Sequence, residues 1–318
     1  MKIAFIFSGQ GSQYIGMGKE LYDNVLVCRN TLDKAKYLLD FDIKELIFNG
    51  KKEELDITEN TQPAILVTSI MAMRALEEKG VKPDVVAGLS LGEYSALIAA
   101  KSLTFEDAIP LIRKRGKFMQ NAVPIGKGSM IAVIGLSLDK INLAIDKASE
   151  FGVVEISNYN TNNQIVIGGE RVAVEKAKEL CLEIGARRVI ELKVSGPFHT
   201  SLLENASAKL REELNKIEFN KPEINIISNV TADIIENKEE IKEILCKQIK
   251  SSVRWTESVN KMIDMGVDTF IELGPGRVLS GFIKEIGREK GLKLNIFNVE
   301  DMKSLKKTLE GIEVLNDC

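Results

Sequence analysis

Short apolar runs alternate along this chain with longer stretches in which apolar side chains return every three or four residues. Ile3–Phe7 is apolar throughout, the pattern of a central strand covered on both faces. The spacing of Ile65, Leu66, Ile70, Met73 and Leu76 predicts a helix over 63–79, with Gly80 as its stop. Val85–Ala87 reads as the next strand and Glu93–Ala100 as the helix after it. Thr104, followed by Glu106 and Asp107, caps a further helix that runs to Gln120.

The rhythm then changes. Strands are predicted over 130–136, 153–157, 164–168 and 187–194, with helices over 138–150 and 171–184. The polar run Asn158–Asn163 reads as the turn between the second and third of these strands. The order β-α-β-β-α-β is that of a split ferredoxin-like unit. After it the alternation of helix and strand resumes. Helices are expected over 201–214, 239–250, 255–266 and 278–286, and strands over 224–228, 269–273 and 295–299. This pattern predicts an α/β chain with a hydrolase-like, mostly parallel sheet covered by helices. The catalytic lobe spans 1–126 and 196–318, and a ferredoxin-like small lobe is inserted at 127–195.

Composition narrows the partners. The 318 residues carry 43 basic and 46 acidic side chains, a net charge of −3, so no basic field invites nucleic acid. No apolar run reaches membrane-spanning length and the N-terminus lacks signal-peptide form, so a cytoplasmic protein is expected, and a monomer. The four cysteines show no metal-ligand spacing, and with one histidine neither a metal site nor a cofactor is expected.

The chemistry concentrates at Gly88-Leu89-Ser90-Leu91-Gly92, which lies between a strand and a helix. This is the form of a nucleophile elbow, a tight turn that projects a serine hydroxyl from the sheet. A serine needs a base, and His199 is the only histidine in the chain. No Asp or Glu announces itself as a third member. The loop Gly9-Gln10-Gly11-Ser12-Gln13 follows the first strand and can face the elbow. The backbone N–H groups of Gln10 and Leu91 are then the natural pair for a developing oxyanion. In Arg113-Lys114-Arg115-Gly116-Lys117, helical spacing sends most charges to solvent, but one arginine can turn inward to grip a carboxylate.

Taken in order, these segments resemble the malonyl-CoA:acyl carrier protein transacylase family of fatty-acid synthesis. The resemblance runs through Gly9–Gln13, Gly88–Glu93, Arg115-Gly116, Pro197-Phe198-His199, Gln248 with Val253-Arg254-Trp255, and Glu272–Gly276. It implies that Ser90 carries a malonyl ester, that His199 is its base, and that Arg115 pairs with the malonyl carboxylate. It implies a backbone carbonyl beside Gln248 as the support of the imidazole. Asn158 and Asn160 match positions lining the cleft, and Phe198 fits the malonyl-selective pattern. The implied substrates are malonyl-CoA and acyl carrier protein, for which Lys114, Lys117, Arg187 and Arg188 are candidate docking charges. Two positions depart from the common pattern, Leu89 where many members have histidine and Ser8 where they have proline. The rival readings are an esterase or thioesterase using the same serine and histidine, an acyltransferase serving a polyketide carrier, and a silent carrier-binding protein.

Overall fold

Five parallel strands form the main sheet, in the order β7-β2-β1-β8-β9, in a computed structural model that describes residues 1–317. They are β1 (Ile3–Phe7), β2 (Val85–Gly88), β7 (Asn225–Ile227), β8 (Thr269–Leu273) and β9 (Asn295–Val299). Every residue of β1, β2 and β8 is buried, as an apolar run covered on both faces should be. The helix Thr58–Glu77 lies in the core beside this sheet, with sixteen of its twenty residues buried. Its mostly apolar sequence leaves no solvent face to show.

The second sheet is antiparallel, in the order β4-β5-β3-β6. Its strands are β3 (Gly128–Ile134), β4 (Val154–Thr161), β5 (Gln164–Glu170) and β6 (Arg188–Glu191). Helices Leu138–Ala148 and Arg171–Glu183 contribute Ile141, Ala144, Ala173, Val174 and Ala177 to a separate core against it. Numbered within the unit, the strand order is 2-3-1-4, the arrangement expected of a ferredoxin-like unit.

Several boundaries move. The buried helix begins at Thr58, not at Pro63, and β6 is shorter than the predicted strand. The run Asn158–Asn163 is not a turn. β4 continues through Asn158 and Asn160 to Thr161, and only Asn162-Asn163 make the connection to β5. Register shifts between Ile156 and Asn158 and between Tyr159 and Thr161 mark two bulges. Bulges let a strand go on while its side chains are re-aimed, so alternation fails as a guide there. The helices Lys19–Asn24, Leu26–Leu38, Ile43–Asn49, Lys52–Leu55 and Met302–Asn316 add to the predicted set.

Candidate active site

The carboxyl ends of β1, β2 and β8 open onto one rim, where open α/β sheets bind their ligands. Ser90 stands on the turn between β2 and the helix Gly92–Ala99, with φ of 54°. Such a left-handed backbone is strained for a residue with a Cβ, and strain of this kind persists only where the surroundings enforce it. The enforcement is steric. A Cβ on Gly88 would sit 2.0 Å from the carbonyl carbon of Gly92, and one on Gly92 would sit 2.2 Å from the Phe7 carbonyl oxygen. Asn229 pins the turn further, accepting from the Ser90 N–H at 2.6 Å and donating to the Gly88 carbonyl at 2.7 Å.

The Ser90 hydroxyl lies 2.7 Å from His199 Nε2, although 109 residues separate the two. His199 Nδ1 lies 2.8 Å from the Gln248 carbonyl oxygen. A carbonyl can only accept, so Nδ1 carries the proton and Nε2 turns its lone pair to the serine. A main-chain carbonyl therefore occupies the place of a third triad carboxylate. His199 itself has φ of 61°. Burial, reinforced by the nearby Arg115 charge, pushes its imidazole down to about 4. The imidazole is thus neutral at physiological pH.

Arg115 is the arginine that turns inward. It sits on helix Phe105–Gln120, wholly buried, where Gly116 lets that helix close to 2.7 Å, measured from an ideal Cβ, on the Thr58 carbonyl. Its Nη2 donates to Ser90 Oγ at 3.1 Å and to Gln248 Oε1 at 2.9 Å, and its Nη1 donates to Gln62 Oε1 at 2.9 Å. Nε is buried and donates to no group among the described residues. A buried guanidinium with an unused donor beside the Ser90 hydroxyl has the chemistry to take an anionic ligand. Under it, Gln248 Nε2 donates to the Ser90 carbonyl at 2.8 Å and to Glu93 Oε2 at 2.7 Å. Glu93 is completely buried, and desolvation pushes its carboxyl up to about 7.

A cavity of about 220 Å³ flanks the elbow, lined by Ser8–Ser12, Leu89, Asn158, Asn160, Gln164 and Glu272 among others. The side chain of Gln10 is tied to Thr58 Oγ1 at 3.1 Å, which steadies the loop. Neither the Gln10 nor the Leu91 backbone N–H donates to another group among the described residues. Asn160 Nδ2 donates to Gln164 Oε1 at 2.8 Å, and its own Oδ1 is buried and unpaired. Leu89 faces this cavity, and Ser8 Oγ donates to the Pro275 carbonyl at 3.2 Å, so both departing residues are accommodated. Phe198 is buried in the main core, its ring near Gly196. Lys114 is paired with Glu213 at 2.7 Å, while Lys117, Arg187 and Arg188 are exposed.

The acyl transferase domain matches residues 4–308. The malonyl CoA-acyl carrier protein transacylase of Bacillus subtilis is 46% identical over 317 residues, 99% of each chain. The chain belongs to the malonyl CoA-acyl carrier protein transacylase family. The crystal structure of the family member from Clostridium perfringens matches with a TM-score of 0.95 and 46% identity over 100% of both chains. A malonyl-transacylase solved in complex with a type II PKS acyl-carrier protein matches with a TM-score of 0.94 and 40% identity, over 98% of this chain and 100% of that one.

Sequence reasoning brought Ser90, His199, Arg115 and Gln248 to one place. It missed Gln62, Glu93 and Asn229, which hold that place together. Gln62 had little signal, because it closes the polar run Thr58-Glu59-Asn60-Thr61-Gln62 at the start of its helix, though it is buried. Glu93 had a weak one, an acid at the start of a helix whose every neighbour is apolar or small.

Proposed function

We propose that the chain moves a malonyl group from malonyl-CoA to the phosphopantetheine thiol of acyl carrier protein, through an ester on Ser90. The observation that carries this reading is the buried Arg115 guanidinium reaching the same hydroxyl that His199 addresses. An esterase needs the hydroxyl and the imidazole; a fixed cation beside them selects an acyl group that ends in a carboxylate.

In the first half-reaction Ser90 Oγ attacks the thioester carbonyl as its proton passes to His199 Nε2. The carbonyl oxygen takes the negative charge, and the free N–H groups of Gln10 and Leu91 are the donors that receive it. The tetrahedral centre collapses, the C–S bond breaks, and the proton leaves from Nε2 to the CoA thiolate. The Gln248 carbonyl bears against the imidazolium that forms in between. In the second half-reaction the carrier thiol gives its proton to Nε2 and attacks the ester, and Ser90 recovers its proton as it departs. Asn158 and Asn160, aimed by the bulged strand into the flanking cavity, suit the amides of a pantetheine arm. No step requires a cofactor.

Intact-mass measurement after mixing with malonyl-CoA tests the reading. The expected result is the gain of one malonyl group, lost in Ser90→Ala and discharged by holo acyl carrier protein. Release of free malonate without an added thiol would make the chain a hydrolase, and no gain in mass would make it silent. Because one relative is held with a type II PKS carrier, a polyketide carrier is assayed beside a fatty-acid one.

A further inference from the structure

Arg115 is a wholly buried cation, and among the described residues no carboxylate touches it. Its hydrogen-bond partners are two glutamine oxygens and a serine hydroxyl, and the Tyr94 ring lies against it, 5.3 Å from guanidinium carbon to ring centroid. Burying an unpaired charge is costly, and proteins meet that cost with an opposite charge nearby. The nearest candidate is Glu93, equally buried, which reaches the arginine only through an intervening amide. Gln248 Oε1 accepts from Arg115 Nη2 at 2.9 Å, and Gln248 Nε2 donates to Glu93 Oε2 at 2.7 Å. The Asn229 N–H adds a second donor to the same carboxylate oxygen at 3.3 Å. The amide is oriented by its neighbours. Its oxygen must face a guanidinium that only donates, and its nitrogen must face a carboxylate and the Ser90 carbonyl, which only accept.

This spacing has a consequence for substrate. A carboxylate in direct contact would occupy the arginine's fork and compete with an incoming acyl carboxylate. One held off by an amide balances the charge and leaves Nε open, as it is here. We propose that Glu93 is the remote counter-charge of Arg115, keeping the guanidinium stable in the protein interior with its Nε still open, and that its repulsion limits how tightly a carboxylate-bearing acyl group is held. Glu93 is a specificity-determining residue that acts through Gln248 and touches no reacting atom. The inference rests on the malonyl-transfer reading above.

The test is Glu93→Gln, which keeps an acceptor for Gln248 and removes the charge. Transfer to holo acyl carrier protein is measured at pH 8, where the native carboxyl is ionised. The expected result is a KM for malonyl-CoA lower by about five- to tenfold, with the KM for acetyl-CoA changed less than about twofold. A purely structural role would raise both. An unchanged or raised KM for malonyl-CoA overturns the proposal. A second measurement stands if Glu93→Gln alone folds poorly. In a double-mutant cycle with Arg115→Gln at pH 8, the melting shifts are expected to be non-additive, the double variant melting higher than the sum of the single shifts gives, because removing either partner leaves the other's charge uncompensated or forces it to take up a proton. Additive melting shifts would overturn the proposal. Neither failure touches the mass gain of the unaltered protein on malonyl-CoA, so the two readings fall separately.

Discussion

At the scale of single residues, the group proposed to select, Arg115, is distinct from those proposed to react, Ser90 and His199. A charge-assisted pair between Arg115 and an acyl carboxylate contributes about 1.5–3 kcal/mol. Arg115→Ala is therefore expected to lower kcat/KM for malonyl-CoA by one to two orders of magnitude while acetyl transfer falls far less; steady-state kinetics with both thioesters checks this. Unchanged malonyl kinetics would remove Arg115 from the site. The pH dependence follows from His199. Burial holds its imidazole down to about 4, so Nε2 stays unprotonated from pH 8 to about 5; kcat/KM for acetyl-CoA, which has no carboxylate for Glu93 to repel, should stay level over that range and fall below it as Nε2 gains a proton. The same shift affects stability. Between about 4 and the unfolded value of about 6.5, the unfolded chain holds the extra proton. The stability due to keeping His199 neutral is therefore complete above about 6.5 and declines as pH falls toward 4. A His199→Gln variant should lose this part of the acid sensitivity, seen as a flatter urea midpoint between pH 6.5 and 4.5. Glu93 works in the opposite sense. Its contribution is present below the ordinary carboxyl range and is lost as pH rises through about 7.

The same scale shows what the sequence could and could not reveal. Ser90 and His199 were legible because each is distinctive, a serine in a glycine frame and the one histidine of the chain. The orientation of the imidazole was not, since any residue offers a main-chain carbonyl. Gln248 and its carbonyl entered through family resemblance, and its physical reason became visible only when helix Lys238–Gln248 ended beside the imidazole. Glu93, Gln62 and Asn229 act by filling hydrogen-bond positions around other groups. A polar residue that supports another has no spacing rule by which to find it.

At the scale of elements, glycines separate required contacts from tolerated gaps. Gly92 opens the helix after the elbow with the Phe7 carbonyl where its Cβ would be, so Gly92→Ala must push the helix off β1 or bend the elbow. A loss of at least about 1–3 kcal/mol is expected, together with slower labelling of Ser90 by a serine-directed phosphonate. Gly281, in helix Val278–Glu289, has nothing within 4 Å of the same position and is exposed. Gly281→Ala should raise stability by about 0.5–1 kcal/mol through its helix preference. Thermal melting of the two variants side by side checks the contrast; equal destabilisation would mean that the packing at Gly92 has been misjudged. Strands were the easiest elements to read, because buried parallel strands are unbroken apolar runs. Helix Leu26–Leu38 shows buried Cys28, Thr31, Leu32 and Ala35 at helical spacing, but three of these are small or polar, so the stripe hardly rises above its surroundings. β4 was unreadable past Ser157 for another reason. Its polar residues are held extended by β5 on one side and by Val253 on the other, a tertiary constraint that no local pattern carries.

At the scale of the whole molecule, the two sheets meet along the segment that also supports the imidazole. Val253 donates to the Ser157 carbonyl at 2.8 Å and accepts from the Tyr159 N–H at 2.9 Å, so it lies against β4 like a short extra strand. Ser252 Oγ donates to the Ile156 carbonyl at 2.5 Å, and Thr256 Oγ1 donates to the Tyr159 carbonyl at 3.1 Å. Gln248, whose carbonyl orients His199, precedes this seam by a few residues. Slippage of β4 would thus reach the base and the asparagines of the cavity together. Ser252→Ala with Thr256→Ala removes two ties while leaving the side chains of Ser90, His199 and Arg115 and the Gln248 carbonyl unaltered. At about 1 kcal/mol each, the double variant should melt several degrees lower. If the seam also positions Asn158 and Asn160, proposed to face the pantetheine arm, the KM of the variant for malonyl-CoA and for the carrier should rise in step, because both deliver the same arm. Labelling of Ser90 by a small phosphonate, which needs no arm, should change little. A melting shift with both KM values unaltered would confine the seam to stability. A loss confined to the carrier would move carrier recognition onto the seam itself, away from the cavity proposed for both substrates.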